Sequence, residues 1–165
     1  MIGNDIIDLN QAKFPDSKRF KRYASKICAD EEIAQFACFE QPLQSLWRFW
    51  SLKEAAYKAA LRMCLVDSFS PIQTQVSLLD AHSSIVSINS TGFSGFSIVE
   101  SDHIYSEVSL EGLPSTRCIV EMKDASELIS RITKVDKLPF FQNDGIDKVA
   151  SITHHGQYFG LLYLS

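Results

Sequence analysis

The sequence predicts an α+β fold, a single domain over residues 1–165 in which an antiparallel sheet packs against one long helix. Three observations carry that prediction. Leu43 to Met63 contains no Gly or Pro and is enriched in Ala, the best helix former, through Ala55, Ala56, Ala59 and Ala60. Beyond Pro71 the texture changes to short β-branched runs, QVSLL, SIVSI, FSIVE, HIYSEVSL and TRCIVEM, separated by turn-forming residues. Helical and strand-like segments come in blocks instead of alternating, which favours α+β over a βαβ series.

The first element is a strand, Ile2 to Leu9, ended by Pro15 and Asp16. DSKRFKRYASKI follows, with Phe20, Tyr23, Ala24 and Ile27 at helical spacing among Lys18, Arg19, Lys21, Arg22 and Lys26, which makes a basic amphipathic helix. Asp30 is the expected N-cap of a second helix, EEIAQFACF, whose Glu31 and Glu32 suit the positive end of the helix dipole. It ends before Pro42, where the long helix begins. The β-branched runs read as an antiparallel meander with breaks at Asp80, Gly92, Gly95, Asp102 and Gly112-Leu113-Pro114. DASELISRI returns to helical spacing, Pro139 to Gly145 reads as a loop, and VASITHH with YFGLLYL forms a closing strand pair around Gly156.

A net charge of −4 excludes a bulk electrostatic grip on nucleic acid or an anionic membrane and leaves room only for local basic patches. Cys28, Cys38, Cys64 and Cys118 form no C-x-x-C pair, so they are expected to be buried free thiols. The start has no positive n-region with an apolar h-region, and no stretch nears the ~18 apolar residues of a membrane span, so a cytoplasmic location is expected.

The residues that invite chemistry lie in two places. Asp5 sits among Ile2, Ile6 and Ile7, where a carboxylate must be paired, hydrogen-bonded or metal-bound to offset its burial. In LWRFWSLKEAAYKAALRM, Trp50, Glu54, Lys58 and Leu61 share one helical stripe, flanked by Lys53 and Tyr57. By itself Glu54 to Lys58 reads as a surface ion pair. Together, Asp5 and Glu54 would make a hard oxygen site for Mg²⁺, which takes one or two carboxylates and binds substrate phosphates in its open positions. Lys53 and Lys58 would neutralise those phosphates, an inventory suited to phosphoryl or phosphodiester chemistry. Trp47 and Trp50 read as core anchors, His82 and His103 as surface residues without metal-site spacing, and His155 as a turn residue.

IGNDIIDL followed by WSLKEAAYKA resembles the paired signature of the 4'-phosphopantetheinyl transferases, G-x-D near the start and W/F-S/A-x-K-E-A/S-x-x-K. The chain is most similar to the small bacterial holo-acyl-carrier-protein synthases, with SKRFKRY at Ser17 to Tyr23 matching their basic helix and SITHHGQYFG at Ser151 to Gly160 matching their terminal strand. The resemblance runs over Met1 to Lys58 and again from Val149 to Ser165; the family's glycine-containing loop after the second lysine is replaced by the glycine-free LRMCLVDSFSP.

The resemblance implies the family's single-domain fold and the transfer of phosphopantetheine from coenzyme A to a serine of an apo acyl or peptidyl carrier protein, releasing adenosine 3',5'-bisphosphate. It implies that Asp5 and Glu54 bind Mg²⁺, with Asp8 as a supporting or auxiliary ligand. Glu54 and Lys58 would be catalytic, Lys53, Lys58 and His154 would face coenzyme A, and Lys18, Arg19, Lys21 and Arg22 would meet an acidic carrier protein. It further implies a carrier protein of fatty-acid synthesis or of a specialised pathway, and a homotrimer with active sites between subunits. Neither nucleic acid nor membrane is an expected partner. Two rivals remain at this stage. A metal-dependent nuclease core needs its acid and lysine two apart on a strand, whereas here the spacing is four in a helix. A non-catalytic module gripping an acidic partner through the basic helix predicts neither Mg²⁺ dependence nor coenzyme A binding.

Overall fold

The computed structural model describes residues 1–12, 17–36, 41–110 and 113–165. Two five-stranded antiparallel sheets organise it. The first has β1 (Ile2–Asp8), β2 (Gln75–Leu78), β3 (Ser83–Ile88), β4 (Thr91–Val99) and β5 (His103–Ser109) in the order β1-β5-β4-β3-β2. The second has β6 (Ser115–Glu121), β7 (Ile132–Val135), β8 (Leu138–Asn143), β9 (Ile146–His155) and β10 (Tyr158–Leu164) in the order β6-β10-β9-β8-β7. The helices are α1 (Ser17–Ile27), α2 (Asp30–Gln35), α3 (Pro42–Arg62) and the short α4 (Ser126–Ser130). None of the described helices is long and apolar enough to cross a membrane.

α3 lies across the first sheet. Leu46, Phe49, Leu52, Ala55, Ala56 and Ala59 are fully buried on it and meet Val76, Val86, Phe93 and Val108 from the strands. Each of the larger side chains adds about 2–3 kcal/mol by leaving water. The alanines do more than favour helix. Gly3 passes so close that a Cβ there would strike the Ala55 carbonyl and the Ala59 amide, so small residues on both elements bring β1 onto the helix. A smaller core under the second sheet gathers Ala125, Phe141, Ala150, Phe159 and Leu161.

The meander exists, but its last run leaves it: β6 pairs with β10 in the second sheet. The expected breaks at Gly92 and Gly95 fall inside β4, and the turn before it is made by Asn89 and Ser90, both at positive φ. Gly112 lies outside the described residues. Pro139 to Gly145 is not a loop. Asp136 and Lys137 at φ 50° and 68°, then Asp144 and Gly145 at 51° and 76°, close two tight hairpins whose shared strand is β8. Such left-handed pairs match the twist of two-residue hairpins. α2 is capped by Ala29, not Asp30, because the Glu32 carboxylate turns back to accept the Ala29 amide. Cys28 is buried, whereas Cys64 is exposed at the end of α3, contrary to the expectation of burial; Cys38 lies outside the described residues.

Candidate active site

β1 reaches the second sheet through side chains. Its outer-edge amides at Asn4, Ile6 and Asp8 donate to Ser151 Oγ (3.1 Å), Thr153 Oγ1 (3.2 Å) and His155 Nδ1 (2.8 Å), three alternate residues of β9. Alternation puts Ser151, Thr153 and His155 on one side of the strand. The two sheets are thus stitched by side chains where a backbone ladder would leave no gap. A cleft of about 640 Å³ opens along this seam, with Asp5, Glu54 and Lys58 in its wall.

Asp5 is 8% exposed and faces α3 on the same side of β1 as Gly3. Its Oδ1 accepts from Thr153 Oγ1 at 3.0 Å and from Lys58 Nζ at 3.3 Å, while Oδ2 is buried with no hydrogen-bond partner. Burial pushes its pKa up, against the pull of the Lys58 charge and the Thr153 bond. Glu54, on the adjoining face of α3, is raised to about 6 by burial and then by the nearby Asp5 charge. Two carboxylates whose ionisation burial disfavours, one of them with an orphaned oxygen, form a site short of positive charge. Lys58 supplies part of it, also donating to Asn4 O at 2.8 Å. Among the described residues no group of three or more His, Cys, Asp or Glu converges. A hard divalent ion held here would therefore draw its remaining ligands from water or from the substrate.

Lys53 does not join this site. Its ammonium is fully buried on another side of α3, bonded to Glu32 Oε2 (2.6 Å), Ile27 O (2.8 Å) and Pro71 O (2.9 Å). All three of its N–H groups are used, so it cannot contact a phosphate in the cleft. Asp8 also serves structure more than the cleft. Its Oδ1 accepts from Asn10 N (2.9 Å) and its Oδ2 from Gln157 N (3.1 Å), which holds the β9–β10 turn. Gly156 is required in that turn, at φ +56° with the Asp8 carboxylate where a Cβ would stand. Asp8 thus supports the hairpin through one bond on each carboxylate oxygen.

His154 is exposed at the cleft rim, whereas His155 is half-buried, accepts the Asp8 amide at Nδ1 and so carries its proton on Nε2 when neutral. His155 is more than a turn residue. Trp47 and Trp50 are half-buried in the cleft wall, not closed in the core, and Trp47 Nε1 donates to Ala12 O at 2.8 Å. Lys18, Arg19, Lys21, Arg22 and Lys26 are exposed along α1, whose Tyr23 and Ile27 reach the same cleft. Sequence reasoning missed Thr153, whose hydroxyl on β9 accepts the Ile6 amide and donates to Asp5, and Lys134, which reaches the cleft from β7. The polar alternation Ser151-x-Thr153-x-His155 was the available signal for the first; nothing local marks the second.

A family model described as the 4'-phosphopantetheinyl transferase superfamily matches residues 1–115. Among solved structures, a Helicobacter pylori holo-[acyl-carrier-protein] synthase in complex with coenzyme A aligns with TM-score 0.52 and 15% identity, covering 67% of this chain and all of that one. A Thermotoga maritima holo-[acyl-carrier-protein] synthase aligns with TM-score 0.52 and 15% identity over 82% of this chain and 76% of its own. At that identity they establish the fold. No curated protein sequence gives a significant match. The family match spans the segment Gln73 to Ser115, which the motif resemblance left out, and stops before His154.

Proposed function

The chain belongs to the 4'-phosphopantetheinyl transferase superfamily, and from that membership we propose that it transfers phosphopantetheine from coenzyme A to a serine of an apo acyl carrier protein. The serine oxygen forms a bond to the β-phosphorus, the bond from that phosphorus to the bridging oxygen breaks, and adenosine 3',5'-bisphosphate leaves. The observation that carries this reading is the buried Asp5 carboxylate with its unpartnered Oδ2, set beside Glu54 in the wall of an open cleft.

Asp5 and Glu54 are the pair that would hold Mg²⁺, which when bound supplies neutralisation of the pyrophosphate charge. Thr153 and Lys58 orient the Asp5 carboxylate by bonding its other oxygen. Lys58 donates in both of its contacts, which is the behaviour of an ammonium clamp, and its third N–H is left for a phosphate oxygen. That favours a phosphate-binding role over a general base. Glu54 would take its catalytic part as a ligand of that Mg²⁺, since a bound cation offsets the burial and the Asp5 charge that otherwise raise its pKa to about 6. The serine proton would pass to water. His154 and the Nε2–H of His155 stand at the rim for the nucleotide. The exposed α1 cations face the acidic carrier protein and steer it in against the net negative charge of the chain. A trimer with clefts completed between subunits belongs to the same proposal.

The test is the intact mass of an apo acyl carrier protein after incubation with the chain, coenzyme A and Mg²⁺, beside Glu54→Ala and chelator controls. A phosphopantetheine increment that vanishes in both controls is expected. Absence of any increment on several carrier proteins, with no coenzyme A binding, overturns the reading and leaves a module that grips acidic partners through α1.

A further inference from the structure

A second cavity, of about 230 Å³, lies between the start of α3 and the ends of β2 and β4, with Gln44, Ser45 and Arg48 on one side and Leu78, Ala81 and Val99 on the other. It shares no lining residue with the cleft, so what it binds is independent of the transferase reading. Arg48 is 4% exposed, and a charge so buried needs a partner. Among the described residues it has one backbone contact, from Nη2 to Asp80 O at 3.1 Å, while Nε is buried without an acceptor. The Asp80 carboxylate is turned elsewhere, its Oδ1 accepting from His82 N and Ser83 N, both at 2.7 Å. No acid among the described residues lines the cavity. Burial pulls the Arg48 pKa down, against the upward pull of the Asp80 charge, yet the guanidinium stays protonated at neutral pH. The start of α3 adds positive character of its own. Gln41, also in the wall, provides no side-chain cap, and Pro42 follows it, so the first-turn amides and the positive end of the helix dipole are uncompensated here. A buried guanidinium beside an uncapped helix start makes a place for one negative charge.

We propose that this cavity binds the carboxylate of a short aliphatic monoacid, with Arg48 as its counter-charge and Leu78, Ala81 and Val99 around its alkyl body. The charge selects a monoanion. One guanidinium offsets one carboxylate, whereas a phosphomonoester, at about −1.5 to −2, would bring an excess of negative charge into a wall that is half aliphatic. A planar carboxylate also matches the planar fork of a guanidinium. The volume limits the body to a few carbons, since pockets for drug-sized ligands start at about 300 Å³. Two sources carry this chemistry, a free acid and a glutamate side chain of another protein chain, and both present the same carboxylate on a short methylene stem.

The experiment titrates butyrate into the full chain at constant ionic strength, with butyramide as the neutral isostere, and reads melting temperature and amide NMR shifts. A ligand of this size should bind with Kd on the order of 1 mM, and at ten times Kd the melting temperature should rise by about 3–5 °C. The shifts should centre on Gln44, Ser45 and Ala81, and butyramide should bind about tenfold more weakly or worse. Arg48→Met should cost butyrate about tenfold or more in affinity. Ala81→Phe should do the same while leaving Arg48 in place, because Ala81 is exposed at the mouth and a ring there fills the cavity. If Arg48→Met does not fold, Ala81→Phe decides alone. A peptide with one glutamate, acetyl-Gly-Glu-Gly-amide, represents the protein-borne carboxylate: tighter binding of butyrate assigns the site to a free acid, and tighter binding of the peptide assigns it to a side chain of another protein. Binding of neither, butyramide binding as well as butyrate, or butyrate affinity unchanged in Ala81→Phe overturns the site.

Discussion

α3 carries two lysine–carboxylate pairs five residues apart, and they are opposites. At Lys53 and Glu32 every polar atom is engaged. Lys53 has three acceptors, and Glu32 accepts from Lys53, from Ala29 N (2.8 Å) and from Val76 N (2.8 Å), joining α1, α2, α3 and β2 in one buried knot. At Lys58 and Asp5 the contact is a looser 3.3 Å, one carboxylate oxygen is orphaned, and a second acid, Glu54, adds charge of the wrong sign. The residue types are the same. What separates a structural pair from a site is the account of hydrogen bonds: the closed pair has nothing left to offer, and the open one lacks a cation and a partner.

That contrast is broken most forcefully at the closed pair. Lys53→Met removes the ammonium and strands the Glu32 carboxylate in the interior, which should lower stability by about 3–5 kcal/mol. Urea titration measures it. The melting temperature should fall together with the midpoint, while transfer activity per folded molecule survives, because Lys53 touches nothing in the cleft. A variant that keeps its stability but loses turnover would put Lys53 back among the substrate-binding groups.

Asp5→Asn probes the open pair and should do the reverse. The amide keeps the shape and the Thr153 contact but loses the charge that would hold an ion, and transfer should fall about a hundredfold or more. The change in stability should stay below about 1 kcal/mol. Initial rates at saturating coenzyme A, with a denaturation curve on the same sample, separate the two effects. Full activity in Asp5→Asn would remove the ground for a metal at this position.

Much of this was legible before the fold was known, for a definable reason. Asp5 and Glu54 stand out because an acid in an apolar strand and an acid-lysine stripe on a helix are anomalies of local sequence, and the fold brings them into one wall. Lys53 and Lys58 could not be told apart in that way. Both flank Glu54 on the same helix, and only the tertiary placement of Glu32, on another element, decides which lysine is closed in. The second sheet was hidden for a similar reason. TRCIVEM reads like another turn of the meander, and its partner β10 lies some forty residues away in sequence. The β8 strand was obscured by Pro139, although Asp144-Gly145 is a hairpin signature in its own right.

The smallest effect tests the open site without any substrate. The Glu54 carboxyl holds its proton up to about pH 6 in the folded chain, above its ordinary 4.5. Ionised Glu54 therefore weighs against folding. The cost is complete above about pH 6 and disappears as the pH falls through 4.5, where both states are protonated. A shift of that size is about 2 kcal/mol for a fully buried group, and the partial exposure of Glu54 cuts it to about 1 kcal/mol or less. Glu54→Gln, in chelator, should thus be more stable than the wild type by about 2–4 °C at pH 7.5 and equal to it at pH 4.5. Millimolar Mg²⁺ at pH 7.5 should then reverse the order, since an ion that binds only the folded wild type stabilises it alone. If Glu54→Gln melts lower than the wild type in chelator at both pH values, Glu54 is a satisfied structural acid like Glu32, and the distinction between the two pairs on α3 collapses.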